Sequence, residues 1–238
     1  MDETRREYLK IYWERQLDLI DEMIAPYRRE GSVLLDVGCG QGRNAQRLAR
    51  GVSRYIGLNV DEEELRIARQ NNPGSNFEFQ LGNAMNMASI PDHSVDIILL
   101  IFVMEHIEFP EKLFAEIRRT LKSQGGVLLV APNLMTGAAL AIRCLSPALR
   151  LEIKRILSGK EEVADYPTFY RCNTVGALDR MAARFGLVRD RLVMFSGIGY
   201  FYRFPGFHLW HRLLSRVSEW KPLRRFKGFI FVTYRPLD

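Results

Sequence analysis

With 238 residues the chain can bury a sizeable core in one domain. Its 47% apolar and 26% charged content excludes a disordered or fibrous protein. Its three scattered cysteines, Cys39, Cys144 and Cys172, form no C-x-x-C pair; they exclude a disulfide framework or cysteine-based zinc site and read as reduced thiols in a cytoplasmic setting.

The net charge of +6 is uneven. Residues 134–238 carry 18 Lys+Arg against 8 Asp+Glu, whereas residues 1–133 carry 16 against 20, so a basic C-terminal half invites an acidic partner. No apolar run approaches the roughly 18 residues of a membrane span, and the N-terminus MDETRREY lacks a signal-peptide core.

Residues 4–25 are predicted to form an amphipathic helix striped by Leu9, Trp13, Leu17, Ile20 and Ile24 and ended by Pro26. Val33 to Leu48 then reads VLLDVGCGQGRNAQRL. An apolar strand enters Asp36, glycines follow at 38, 40 and 42, and a helical segment places Ala45, Leu48 and Ala49 on one face. Closely spaced glycines let a ligand lie against bare backbone, and a helix N-terminus suits a carboxylate. The pattern points to a small anionic or nucleoside-like ligand. A G-x-G-x-x-G dinucleotide fingerprint and a Gly-Lys-Ser/Thr phosphate loop are both absent here.

The alternation continues. A strand is expected over Tyr55–Val60, then a helix N-capped by Asp61 with Glu64 completing a capping box, running to about Gln70. Asn76–Gln80 is a short strand, Val95–Phe102 a strongly apolar one, and Pro110–Lys122 a helix. Gln124-Gly125-Gly126 is a predicted turn into a strand over Val127–Ala131. Near-continuous apolar strands alternating with helices predict a parallel sheet covered on both faces, with ligands at the carboxyl ends of its strands. Residues 134–165 interrupt this with basic amphipathic helices. A helix over Val175–Phe185, a strand over Leu187–Phe195, an amphipathic helix around Phe207–Val217 and a strand over Phe229–Tyr234 complete the chain.

The order D-x-G-x-G-x-G, here Asp36 to Gly42, resembles motif I of the class I S-adenosylmethionine (SAM) methyltransferases. Further blocks at family spacing resemble the ubiquinone/menaquinone-biosynthesis-like (type 11) group: Tyr55 to Asn59, Gly82-Asn83-Ala84, Ser94-Val95-Asp96, Met104-Glu105-His106-Ile107, and Glu116 to Lys122. The resemblance covers about residues 31–133. It implies an α/β, Rossmann-like, seven-stranded and mostly parallel sheet with helices on both faces and an inserted helical lid. One methyltransferase domain would span 1–238: a leading helix (1–30), a SAM-binding core (31–133), the insertion (134–165) and a segment completing the sheet (166–238).

The resemblance also implies site roles. Gly38, Cys39, Gly40, Gln41 and Gly42 would lie against the amino-acid part of SAM. Asp36 would fix the turn and orient the ligand's ammonium group. Asn59 and Val60 would meet the ribose and its surroundings. Asn83 would face the adenine amine, with Ala84 and Met85 near the ring, and Ile101 and Phe102 would line the methyl-donor end. The product would be S-adenosylhomocysteine. The family usually has Asp or Glu where this chain has Asn59, which weakens the expected grip on the two ribose hydroxyls. Asp61 could compensate, although it is committed to capping.

Methyl transfer is mainly positioning, and a base is needed only for an acceptor that must lose a proton. His106 is the candidate base; its bland alternative is a structural histidine at a helix start. Glu105 ranks below it. Tyr166, Tyr170 and Arg171 are candidate substrate contacts or members of a solvated loop, and Tyr12 (or Tyr8) a candidate contact or a packing aromatic. His208 and His211, three apart without a third ligand, read as surface histidines, so no metal is expected. The end of the strand at Leu100 to Val103 lacks the Asn/Asp-Pro-Pro-aromatic sequence of base-amino methylating enzymes, which disfavours nucleic acid. The expected function is methyl transfer to a small or lipid-like acceptor, with a catalytically silent binding or scaffold protein as the alternative. The basic helices would form a lid or touch an anionic membrane.

Overall fold

The computed structural model describes residues 3–136, 166–196 and 226–237. The expected insertion helices and the helix around Phe207–Val217 lie outside the described residues.

Helix α1 (Glu3–Ile24) leads into strand β1 (Val33–Val37), the four-residue helix α2 (Ala45–Leu48), β2 (Arg54–Asn59), α3 (Glu62–Asn71), β3 (Phe77–Leu81), β4 (Val95–Ile101), α4 (Pro110–Thr120) and β5 (Leu121–Pro132). Helix α5 (Val175–Arg184), β6 (Leu187–Phe195) and β7 (Phe229–Pro236) follow. The seven strands form one sheet ordered β3-β2-β1-β4-β5-β7-β6. β3, β2, β1, β4 and β5 are parallel; β7 runs antiparallel to both β5 and β6. This is a Rossmann-like sheet whose strand order switches between β1 and β4, the place where such sheets open a crevice.

Strand periodicity sends alternate residues to opposite faces. Leu34, Ile97, Leu99 and Val130 pack with Ile20, Met23 and Ile24 of α1, with α2, and with Leu65 and Ala68 of α3. Leu35, Ile98, Leu100 and Leu129 pack on the other face against Leu113, Phe114 and Ile117 of α4 and Leu178 and Ala182 of α5. At about 25 cal/mol per Å² of apolar area removed from water, these two layers supply the main drive for folding.

Four sequence expectations are corrected. Trp13, placed in the buried stripe of α1, is 51% exposed. The helix is rotated by about one residue, burying Tyr12, Gln16, Ile20 and Met23, because Tyr12 packs on Phe195 with ring centroids 5.5 Å apart. The Gln124-Gly125-Gly126 turn is a bulge inside β5: Val95 pairs with Leu121 and Ile97 with Gly126. A Cβ on Gly126 would stand 2.4 Å from the Tyr27 ring, so only glycine admits that ring. Correspondingly, α4 stops at Thr120 and Lys122 belongs to β5. Phe102 falls outside β4 and adopts φ +58°, an uncommon conformation for a bulky side chain.

Candidate functional site

The glycine turn leaves β1 at the carboxyl edge of the sheet. Gly38 and Cys39 N–H both donate to the Leu58 carbonyl of β2, at 2.7 and 3.2 Å, and Gly42 N–H donates to Cys39 O at 3.1 Å. Gly38, Gly40 and Gly42 all have positive φ. Their surroundings differ. A Cβ on Gly38 would meet Val103 Cγ2 at 2.6 Å, and one on Gly42 would meet Asn72 Nδ2 at 2.8 Å and Ala68 Cβ at 3.1 Å. A Cβ on Gly40 would find nothing nearer than Glu64 Oε2 at 3.7 Å. Protein closes on the outer glycines and leaves the middle one open, which is the cradle a nucleoside-bearing ligand needs. The expected helix N-terminal charge is not part of it, because α2 is a single turn.

Asp36 is buried beneath this turn and accepts a 2.6 Å hydrogen bond from the Tyr55 hydroxyl. Burial pushes its carboxyl up to about 6, against which the Tyr55 bond acts. The Leu58 carbonyl, accepting from two N–H groups of the turn, ties it to β2. Opposite Asp36 on β2 stands Gly57, where a side chain would collide with Phe79 and with Cys39 Sγ. Burial, first, also raises the Cys39 thiol, with the nearby Asp36 charge adding to it.

The end of β2 holds a second group. Asn59, 7% exposed, donates its side-chain amide to Glu64 Oε2 at 2.8 Å. Asp61 caps α3: its Oδ1 accepts from the N–H groups of Glu63 and Glu64, at 2.9 and 3.1 Å. The reciprocal half of the expected capping box is replaced, since the Glu64 carboxylate reaches Asn59. Asp61 Oδ2 accepts from the Tyr166 hydroxyl at 3.3 Å. Burial and then the Glu64 and Asp61 carboxylates push the Tyr166 hydroxyl up. Asp61 is thereby engaged through both oxygens, which removes it as a stand-in for the missing carboxylate at position 59.

Val60 and Leu81, at the ends of β2 and β3, are uncovered apolar side chains, 54% and 58% exposed. In the next loop Asn83 Oδ1 accepts from Met85 N–H at 2.8 Å, a local turn that keeps a second oxygen lone pair for another donor. Ala84 is buried. Ile101 and Phe102 are half-buried at the end of β4. Phe102 meets Phe229 edge-on at 5.1 Å and Trp13 edge-on at 6.5 Å between centroids. Tyr12 is 9% exposed, with its hydroxyl donating to Ser196 O at 3.3 Å, a packing position.

After β4, Glu105 O accepts from both Phe169 and Tyr170 N–H, at 2.8 and 3.2 Å, docking the segment that carries Tyr166. His106 Nδ1 lies 2.9 Å from Pro167 O. A carbonyl can only accept, so Nδ1 carries the proton and a neutral ring keeps Nε2 as an acceptor. The Tyr166 ring stands edge-on to His106 at 6.1 Å. Tyr170 and Arg171 are exposed. Glu105 is 6% exposed, its Oε2 has no hydrogen-bond partner, and burial raises the carboxyl to about 7.

Asn59, Asp61, Glu64, Tyr166 and His106 thus form one linked chain of contacts beside the glycine turn. Each of these residues is singled out by the sequence, Glu64 in a capping role alone. Tyr55 is the element of the site that the sequence reading does not single out.

A methyltransferase-domain family model matches residues 35–129. A protein of Mycolicibacterium smegmatis named as a probable S-adenosylmethionine-dependent methyltransferase is 31% identical over 125 residues, 52% of this chain and 47% of that one. The ubiquinone biosynthesis O-methyltransferase of Photobacterium profundum is 29% identical over 105 residues, 43% of this chain and 45% of the other. The chain spans about half the length of the curated relatives it matches. Among solved structures, geranyl diphosphate C-methyltransferase from Streptomyces coelicolor A3(2) aligns with a TM-score of 0.64 at 13% identity, over 94% of this chain and 82% of that one. That likeness speaks to the fold alone. Motif, sheet order and sequence agree over this stretch: residues 35–129 match the methyltransferase-domain family, within a sheet of Rossmann-like order.

Proposed function

We propose that the protein transfers a methyl group from SAM to a small, hydrophobic acceptor. The observation that carries this is the uncovered Gly40 backbone at the carboxyl edge of β1, beside the switch in strand order, bordered by polar groups from β2 and α3. In this reading Gly38 to Gly42 hold the amino-acid part of the cofactor, with Asp36 near its ammonium group. Asn59 and Val60 flank the nucleoside, and Asn83 to Met85 meet the base. SAM supplies an activated methyl group on a sulfonium. The chain's own contribution is to orient donor and acceptor and to exclude water.

The acceptor side is drawn from Ile101, Phe102 and the exposed Trp13. The edge-on aromatic contacts of Phe102 offer an apolar wall, consistent with an acceptor that is itself apolar or ring-shaped. His106, its Nδ1 committed to Pro167 O, takes the proton of a hydroxyl acceptor through Nε2. The ubiquinone-type relative and the geranyl diphosphate enzyme act on molecules of this general character by their names.

Among the described residues no helix is long and apolar enough to cross a membrane. We place contact with an anionic membrane, if the acceptor is lipid-borne, on the basic residues beyond position 134; co-sedimentation with anionic vesicles measures it.

The test is label transfer from methyl-tritiated SAM to a panel of quinols, phenols and prenyl compounds, followed by extraction. Labelled product is expected with at least one hydroxyl-bearing apolar acceptor, and His106→Gln is expected to reduce it by about 10²-fold. SAM binding without label transfer to any acceptor would favour the catalytically silent protein, the reading that Asn59 motivates.

A further inference from the structure

A ribose presents two adjacent hydroxyls, and a carboxylate accepts from both, whereas an amide oxygen serves them poorly. The end of β2 offers Asn59. Its NH₂ faces Glu64 Oε2 at 2.8 Å, the one orientation a carboxylate permits, because an ionised carboxylate only accepts. That same Oε2 is the nearest atom to the open position above Gly40. Glu64 is half-buried in the first turn of α3, and its main-chain N–H is fixed by the Asp61 cap at 3.1 Å. Asp61 spends Oδ1 on the helix and Oδ2 on Tyr166.

From these contacts we infer that Glu64, aimed by the Asn59 amide, is the acceptor for the two ribose hydroxyls of the cofactor. The inference rests on the SAM-binding reading above. The carboxylate has moved from the strand end to the first turn of the following helix, and Asn59 serves as its positioning residue. Restoring an acid at position 59 would therefore set two carboxylates against each other at hydrogen-bonding distance, where like charges repel.

The experiment is calorimetric titration of S-adenosylhomocysteine and of its 2′-deoxy counterpart into the full chain and into Glu64→Gln, Asn59→Asp and the double variant, with thermal melts to show that each is folded. The wild-type chain is expected to prefer the ribose ligand, and Glu64→Gln to weaken its binding by about tenfold and to lose that preference. Asn59→Asp alone is expected to bind no better than wild type, and the double variant to recover affinity relative to Glu64→Gln. An unchanged affinity and preference in a folded Glu64→Gln overturns the inference while leaving the methyltransferase reading intact. A folded wild-type chain that binds neither ligand overturns both.

Discussion

The Tyr55 hydroxyl donates to the Asp36 carboxylate at 2.6 Å, across the first two strands and under the glycine turn, and both side chains are buried. Their meeting follows from register. Leu34 pairs with Tyr55, so Tyr55 shares a sheet face with Asp36 two residues on, and Gly57 opposite Asp36 leaves the space clear. The Phe77 and Phe79 rings hold Tyr55 at 5.5 and 5.8 Å. Removing the hydroxyl leaves a buried carboxyl without this partner. Tyr55→Phe is expected to lower stability by about 1–3 kcal/mol, measured by urea unfolding at neutral pH, and to raise the Asp36 carboxyl further.

With the cofactor ammonium placed as proposed, Asp36 would also link cofactor binding to pH. Its carboxyl stands at about 6 without ligand, and a cationic ammonium placed beside it would pull that value down. Binding near pH 6 should then release protons, and affinity should rise between pH 5 and 7. Titrations of SAM in buffers of different ionisation enthalpy measure the release. Asp36→Asn is expected to abolish it.

The glycines separate packing from binding. Gly42→Ala places a methyl at 2.8 Å from Asn72 Nδ2 and 3.1 Å from Ala68 in a positive-φ conformation, so a stability loss of about 1–3 kcal/mol is expected. Gly40→Ala meets no such neighbour and should lose only about 1 kcal/mol, from φ +52°. It should nonetheless lose cofactor binding, because its methyl projects over the open face. Thermal melts paired with S-adenosylhomocysteine titration distinguish the two variants.

Glu105 makes stability itself pH-dependent. Its carboxyl is raised from 4.5 to about 7 by burial, so the folded state holds the proton more tightly than the unfolded chain. The stability this contributes is fully present below about 4.5 and is lost as pH rises through about 7, on the order of 3 kcal/mol over that window. Glu105→Gln removes this dependence. Urea unfolding from pH 5 to 8 should show a flatter profile for the variant and a gain in stability at pH 8.

The periodicity of the strands and the punctuation of Asp61 and Pro110 made the alternating fold legible, and the apolar run at Phe229–Tyr234 supplied the antiparallel β7. These signals are local, and sheet burial reinforces them. The misreadings arose where a distant partner decides. Trp13 fits the helical stripe as well as Tyr12 does, and only the packing of Tyr12 on Phe195, 183 residues away, fixes the rotation of α1. Gly125-Gly126 reads as a turn until the Tyr27 ring is laid over it. At the site, motif I and the departure at Asn59 were visible in the residues. The Asn59–Glu64 pair was not, because Glu64 also fits a capping box, and sequence spacing gives no preference between the two hydrogen bonds.

Calorimetric titration of SAM into the full wild-type chain bears most directly on the cofactor site. Saturable binding at one site per chain, with a Kd in the micromolar range and a matching rise in Tm, is the expected result. A folded chain that gives neither heat nor a Tm shift with millimolar SAM would contradict it.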